Sequence, residues 1–182
     1  MESTQITPIT LNIDPSHSEI MFQVKHMMFA KVKGSFDSFS GTINFDPQNL
    51  TNSTVSVDVE PASINTRDAN RDNHLRSQDF FGVEQNPTMT FRSTRIVADG
   101  GDDYKVYGDL TMNGVTKEIV LEAEFNGRGV SPMGPTVYAF SAEGKVNRKE
   151  FGMEWNAALE AGGMLVSDEV KIEIEVEATP AQ

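Results

Sequence analysis

The stretch from Asp14 to Phe45 constrains this chain more than any other. After the turn-forming Asp14-Pro15, the residues Ile20, Phe22, Val24, His26 and Met28 recur at every second position. Successive side chains of an extended strand point to opposite faces, so these five share one side of it. Met21, Gln23, Lys25, Met27 and Phe29 take the other side, which is not the charged face of an ordinary half-solvated strand. A second alternating run follows through Val32, Gly34 and Phe36 towards Phe39, Gly41, Ile43 and Phe45, with the break between the two runs placed near Ala30-Lys31. Three Met and five Phe among these 32 residues make an adaptable apolar surface, because Met fills irregular gaps and tolerates different occupants. Taken alone, the stretch fits an ordinary packed β core or the lining of a cavity.

The rest of the chain repeats the same period. Leu11 and Ile13 give a short first strand, and Val55, Val57 and Val59 alternate with polar residues up to Pro61. Met89, Phe91 and Ile96 begin another set, followed by Tyr104, Val106, Leu110 and Met112. Asn113-Gly114 then predicts a tight hairpin, because a type I′ turn needs positive φ at both central positions. Ile119, Leu121, Ala123 and Phe125 lead to a Gly- and Pro-punctuated loop over Gly127–Pro135, and Tyr138, Phe140 and Ala142 follow. After a loop carrying Phe151, Trp155 and Gly162-Gly163, the last strand turns Val170, Ile172, Ile174 and Val176 inward and Lys171, Glu173, Glu175 and Glu177 outward. The one exception to period two is Ile64–Phe81. Asn65 or Thr66 is a suitable N-cap, with Asp68 in the first turn, so a short helix is expected over about Arg67–Arg76. Leu75, Phe80 and Phe81 would form a hydrophobic plug beside it. Eight or more antiparallel strands with one helix predict an all-β sandwich or a closed barrel, and closure removes exposed strand edges. An eight-stranded barrel either fills its interior with side chains or holds one small ligand.

At 182 residues a single domain, 1–182, is expected, with residues 1–9 flexible. Lys plus Arg number 15 against 27 Asp plus Glu, a formal charge of −12 that repels nucleic acid and anionic lipid headgroups. There is no Cys, so no disulfide or thiolate chemistry. The N-terminal residues carry no basic start and apolar run of a secretion signal, and no stretch is apolar for the length of a membrane span; a cytoplasmic protein without stable membrane insertion is expected. His17, His26 and His74 lack metal-site spacing, and no Gly-x-Ser-x-Gly elbow is present. Arg67, Asp68, Arg71, Asp72, His74 and Arg76 read as a solvated, self-paired face. No catalytic residue, cofactor or metal is therefore expected.

Several segments together resemble the YceI family of lipocalin-like proteins. They are Asp14–Ile20 with Phe22–Met27, Val32-Lys33-Gly34, Phe39-Ser40-Gly41, Ile64-Asn65-Thr66, Arg71–Ser77 with Asp79-Phe80-Phe81, Gly108–Thr116, Asn147-Arg148, Phe151-Gly152, and Gly162-Gly163 through Ile172. The resemblance implies an elongated eight-stranded antiparallel β-barrel whose interior binds a long amphiphile, typically a polyisoprenoid or a fatty acyl amide, without catalysis. It assigns the lining to Phe22, Val24, Met28, Phe36, Phe39, Ile43, Leu110, Met112, Leu121, Tyr138, Phe140, Ile172 and Ile174. Arg71, His74, Arg76, Phe80 and Phe81 would stand at the entrance, with Arg71 and Arg76 either facing a head group or pairing with Asp68, Asp72 or Asp79. The partner is then a long-chain lipid or isoprenoid, with a homodimer left open. The alternatives are a structural or stress-related protein with a filled barrel and, less favoured, a hydrolase.

Overall fold

Three strands of this protein are interrupted at one level of a barrel, and that interruption shapes the interior. The computed structural model describes residues 7–182. Of the segment expected to be flexible, residues 1–6 lie outside the described residues, and Ile9 already pairs with Phe45. The strands are β1 (Ile9–Ile13), β2 (Glu19–His26), β3 (Ala30–Phe36), β4 (Phe39–Phe45), β5 (Thr54–Val59) and β6 (Ile64–Asn65), then helix α1 (Ala69–Arg76). They continue as β7 (Met89–Ala98), β8 (Asp103–Met112), β9 (Val115–Val130), β10 (Thr136–Asn147) and β11 (Val166–Pro180).

The ring β1-β4-β5-β7-β8-β9-β10-β11 closes because β11 also pairs with β1, giving an eight-strand antiparallel barrel. β11 is long enough to take two partners along one edge: Ala178–Pro180 pair with β1, and Val166–Glu175 pair with β2. Between them the chain steps through a 3-10 turn over Pro15–His17. Asp14 caps this turn by accepting from the Ser16 amide at 3.0 Å. The Ser18 hydroxyl accepts from the Glu177 amide at 3.0 Å, which holds the step against β11. Beside it, Asp37-Ser38 separates β3 from β4, and a 3-10 turn over Pro61–Ser63 separates β5 from β6. The Ser63 hydroxyl accepts from the Ser38 amide at 2.9 Å, and Ser38 O accepts from the Glu60 amide at 3.0 Å, tying these two breaks together. β2, β3 and β6 thus prolong the barrel past its waist, with α1 following β6.

Several sequence expectations shift by a few residues for local reasons. The first long break falls at Met27–Phe29, not at Ala30-Lys31: Met27 and Met28 take positive φ of 51° and 67°, which no turn residue advertises. The helix starts at Ala69 with Asp68 as its N-cap, accepting from the Arg71 amide at 3.0 Å, so neither Asn65 nor Thr66 caps it. Arg67 at φ 64° makes the bend that moves the start. β9 runs through Val130 into the region expected as a loop, with a bulge beside Gly127. Asn113 and Gly114 do form the tight hairpin, at φ 52° and 73°.

The core is apolar and continuous, with Leu11, Ile64 and Phe151 almost wholly enclosed. At one end of the barrel aromatic rings pack together: Phe45 lies 5.2 Å from Tyr138, 5.5 Å from Phe125 and 5.9 Å from Phe140, centroid to centroid. Such tilted and edge-on pairs add about 0.5–1.5 kcal/mol each beyond their burial. The other end carries α1 and the loop over 152–165.

Candidate functional site

Inward-facing residues of a filled barrel lose all contact with solvent. Here Phe22, Val24, Ile172 and Ile174 point inward yet are only half-buried, because they face space. The interior holds a cavity of ≈ 670 Å³, within the range of known small-molecule sites, which is about 300–1,000 Å³. It is not the side-chain-filled interior that the sequence left as an alternative. Its walls run from the aromatic floor of Phe45, Phe125 and Phe140 to Phe36, Phe81 and Trp155 near the helix.

Strand parity places most of the expected lining on this cavity: Phe22, Val24, Phe36, Phe39, Ile43, Leu110, Met112, Leu121, Phe140, Ile172 and Ile174. Met28 and Tyr138 do not line it. Met28 lies beyond the end of β2 in the turn, where the left-handed backbone breaks the alternation, and is 55% exposed. Tyr138 shares the parity of Phe140 but sits past the floor, buried against Phe45.

At the helix end exposed Asp68, Asn70 and Arg71 border the cavity and form a mouth there, while exposed Glu124 borders it beside the floor. Arg71 is held on the β6 side: its Nε donates to Thr66 Oγ1 at 2.8 Å and its Nη2 to Thr66 O at 2.7 Å. Thr66 is itself fixed by the buried Asp72 carboxylate, which accepts from the Thr66 amide at 2.9 Å and hydroxyl at 2.5 Å. His74 Nε2 lies 2.8 Å from Asp79 Oδ2, and its ring meets Trp155 edge-on at 4.6 Å and Phe80 at 5.1 Å. Phe80 and Phe81 also line the cavity.

Arg76 does not line it. Its Nε donates to Ala62 O at 2.8 Å, Nη2 to Ile64 O at 3.3 Å and Nη1 to Asn73 Oδ1 at 2.9 Å, so it pins the helix to β6. Neither arginine makes the ion pair with Asp68, Asp72 or Asp79 that the sequence suggested; carbonyl and hydroxyl oxygens take that place.

Among the lining residues that the sequence reading did not assign are His26 and Arg148. His26 continues the inward parity of β2 to the mouth, a signal present in the alternation itself. Arg148 had no such signal, because its partners are main-chain oxygens of distant residues. Its Nε donates to Ser167 O at 2.8 Å, and its Nη1 to Met153 O at 2.7 Å and Trp155 O at 2.8 Å. Burial pushes this guanidinium below its usual range, and the Asp168 carboxylate at 3.9 Å partly opposes that. Among the described residues no three His, Asp or Glu side chains converge as a metal site: His17 sits in the 3-10 turn, His26 at the mouth and His74 on the helix. Also among these residues, no helix is long and apolar enough to cross a membrane.

Residues 11–178 match the YceI-like domain. A UPF0312 protein of Staphylococcus epidermidis is 41% identical over 167 residues, covering 91% of this chain and 95% of that protein. BcnA of Burkholderia cenocepacia superposes with a TM-score of 0.81 at 24% identity, covering 92% of this chain and 99% of BcnA. A polyisoprenoid-binding domain from Saccharophagus degradans superposes with a TM-score of 0.64 at 12% identity, covering 96% of this chain and 99% of that domain.

Proposed function

The chain belongs to the YceI-like domain family, and from that membership we propose that it binds, and stores or carries, one long-chain amphiphile in its barrel without transforming it. The observation that carries this reading is the cavity of ≈ 670 Å³, walled by apolar side chains from floor to mouth. The ligand class is a polyisoprenoid or a fatty acyl chain. Each methylene taken from water contributes about 0.8 kcal/mol, so about ten contribute about 8 kcal/mol. Association itself costs about 4–15 kcal/mol, and a short chain in this cavity would therefore not be retained. Length sets affinity, while the polar mouth sets selectivity among head groups.

Arg71 and His74 are the residues we assign to the head group, since both reach the cavity. Arg76 is assigned to holding the fold, since its donors are committed to Ala62, Ile64 and Asn73. Organic extraction of the purified protein followed by mass spectrometry tests the reading. Wild-type protein should yield a long-chain lipid in molar proportion; Phe22→Glu should yield little; Met28→Glu, off the cavity wall, should yield the wild-type amount. Equal lipid from wild type and Phe22→Glu, with both folded, would sink it. Arg71→Ala should change relative affinity among a polyprenol, its phosphate and a fatty amide, whereas Arg76→Ala should lower Tm for all three complexes alike.

A further inference from the structure

The turn joining β2 to β3 is built against every local preference. Met27 and Met28 occupy the left-handed region at φ 51° and 67°, where the same protein uses Asn113-Gly114 for its tight hairpin. Left-handed backbone disfavours side chains with ordinary Cβ crowding, and Asn or Gly relieves it. The turn instead presents Met27, Met28 and Phe29 to solvent, at 50%, 55% and 96% exposure. Met28 packs against Gly163, and the Met27 amide donates to Leu165 O at 2.8 Å, so Met164 at 47% exposure extends the same apolar surface.

The charge around this tip is as unusual as its apolarity. Lys25, Lys31 and Lys33 are exposed, and no acid occurs between Ile20 and Phe36. Lys25 and Lys31 are direct cross-strand partners, an arrangement that like charges make unfavourable. Among the described residues none of the three lysines is in an ion pair, although Asp and Glu outnumber Lys and Arg by 27 to 15 over the chain. Lysines on an unpaired strand edge protect against aggregation, and among the described residues β3 has no partner over Ala30–Gly34 on its far side. That accounts for Lys31 and Lys33. It does not account for Lys25, on a strand paired on both sides, nor for an exposed Phe29. On the neighbouring segment Asn156–Ser167 the one acid is Glu160, and Asp168 and Glu169 just beyond it are paired with Lys149 and Lys145.

The tip is also continuous with the mouth. His26 and Val32, flanking the turn, line the cavity, as do Leu165 and Val166 of the adjoining segment. We infer that the β2–β3 tip docks on an anionic lipid bilayer, with Phe29, Met27 and Met28 entering the acyl boundary and Lys25, Lys31 and Lys33 on headgroup phosphates, so that the cavity mouth meets the membrane. Interfacial binding of this kind combines buried apolar area with attraction to anionic lipids and needs no spanning segment. The global charge of −12 argues against membrane contact in general; the local surface provides one place where it is favourable. The purpose of the docking, lipid exchange, rests on the cavity reading, but the docking does not.

Co-sedimentation with phosphatidylcholine vesicles, and with vesicles of phosphatidylcholine and phosphatidylglycerol in equal parts, tests it. Wild-type protein should bind the mixed vesicles and not the neutral ones. Each lysine near an anionic surface changes binding by about fivefold, so Lys25→Gln/Lys31→Gln/Lys33→Gln together should weaken it about 100-fold. Phe29→Ser should weaken it about tenfold or more. All variants should keep the wild-type Tm and extractable lipid content, which separates failure of docking from failure of the cavity reading. Wild-type protein that ignores mixed vesicles overturns the inference. So does sedimentation showing a dimer that Phe29→Ser dissociates, since the tip would then cover a second copy.

Discussion

Replacing Arg148 by Met removes one side chain and detaches a whole segment. The guanidinium is nearly enclosed and holds Ser167 O, Met153 O and Trp155 O at 2.7–2.8 Å, with Val166 O at 3.3 Å. It thereby fastens the chain entering β11 and the segment after the 3-10 turn over Arg148–Phe151 to one another at the cavity wall. A buried acceptor left without a donor costs about 1–3 kcal/mol. Three short contacts would give about 3–9 kcal/mol if all stayed dry. Trp155 and Val166 are only half-buried, so water reaches part of what is lost. Removing a cation that burial disfavours gives something back, although Asp168 at 3.9 Å already offsets a little of that penalty. The net cost of Arg148→Met should be about 3–5 kcal/mol, the magnitude typical of breaking a buried charged network.

A domain of this kind has about 5–15 kcal/mol in total, so the loss is large. Urea unfolding measures it: at an m of about 2 kcal/mol/M, a loss of about 4 kcal/mol moves the midpoint down by about 2 M. Arg148→Lys should recover part of it, because an ammonium keeps the charge but lacks the planar fork that reaches three carbonyls at once. If Arg148→Met unfolds within about 1 kcal/mol of wild type at unchanged m, the carbonyl cage is not what fixes this end of the barrel.

A Cβ at Gly108 would overlap the Phe91 ring and come 2.7 Å from Arg92 O, which is backbone and cannot yield; Gly108→Ala should cost about 1–3 kcal/mol in the same urea assay. At Gly34 the nearest atoms are the Phe22 ring, which has the cavity to move into, and Thr66 Cγ2 at 2.9 Å, which is held in place, so Gly34→Ala should reduce extractable lipid and lower the midpoint less than Gly108→Ala does. Hydrogen bonds from Ser16 and then His17 hold the Asp14 carboxyl down at about 2, and Asp14 raises His17 above its ordinary 6.5. The Asp14 contribution is therefore complete above its unfolded value of 3.8 and lost as pH falls towards 2; that of His17 is complete below 6.5 and lost as pH rises through its raised value. The Tm advantage of wild type over His17→Gln should be greatest between about pH 4 and 6 and shrink in alkaline buffer, and an advantage that stays the same from about pH 5 into alkaline buffer would contradict the pairing.

Most of the barrel was legible because a strand has an intrinsic period of two. Parity, on strands that the family resemblance closes into a barrel, put Phe22, Val24, Leu110, Leu121, Ile172 and Ile174 on the cavity side. Parity fails wherever the backbone leaves the extended region without a residue that announces it. Met27-Met28 contains no Gly, Asn or Pro, so the alternation was carried one residue pair too far and Met28 was placed inside. Parity is also blind to position along the axis, which is why Tyr138, correctly facing inward with Phe140, sits below the floor of the cavity. Arg148 shows a different limit. Its acceptors are backbone carbonyls, which every residue has, and no residue pattern encodes which four will converge.

The contrast between an acidic barrel and a basic tip has a consequence for ionic strength. Val166 of β11 pairs with His26 beside the tip; the nearby Asp168 and Glu169 are paired with Lys149 and Lys145, and Glu173 and Glu177 lie seven and eleven residues further along that strand. At about 3.4 Å per residue they stand about 24 and 37 Å from it. With a Debye length of about 10 Å at 0.1 M salt, a membrane at the tip senses Lys25, Lys31 and Lys33 and little of these carboxylates. At 0.01 M the length grows to about 30 Å, and the acidic wall begins to be repelled by the same surface. At 1 M it falls to about 3 Å and the lysines are screened as well. Binding to mixed anionic vesicles should therefore pass through a maximum at intermediate salt, unlike a uniformly basic protein, whose binding strengthens steadily on dilution. Co-sedimentation across that series would show it, and Glu173→Gln/Glu175→Gln/Glu177→Gln should move the maximum to lower salt. Binding that rises monotonically to the lowest salt would mean that the acidic wall does not face the membrane field, and that the protein does not stand on the bilayer by this tip.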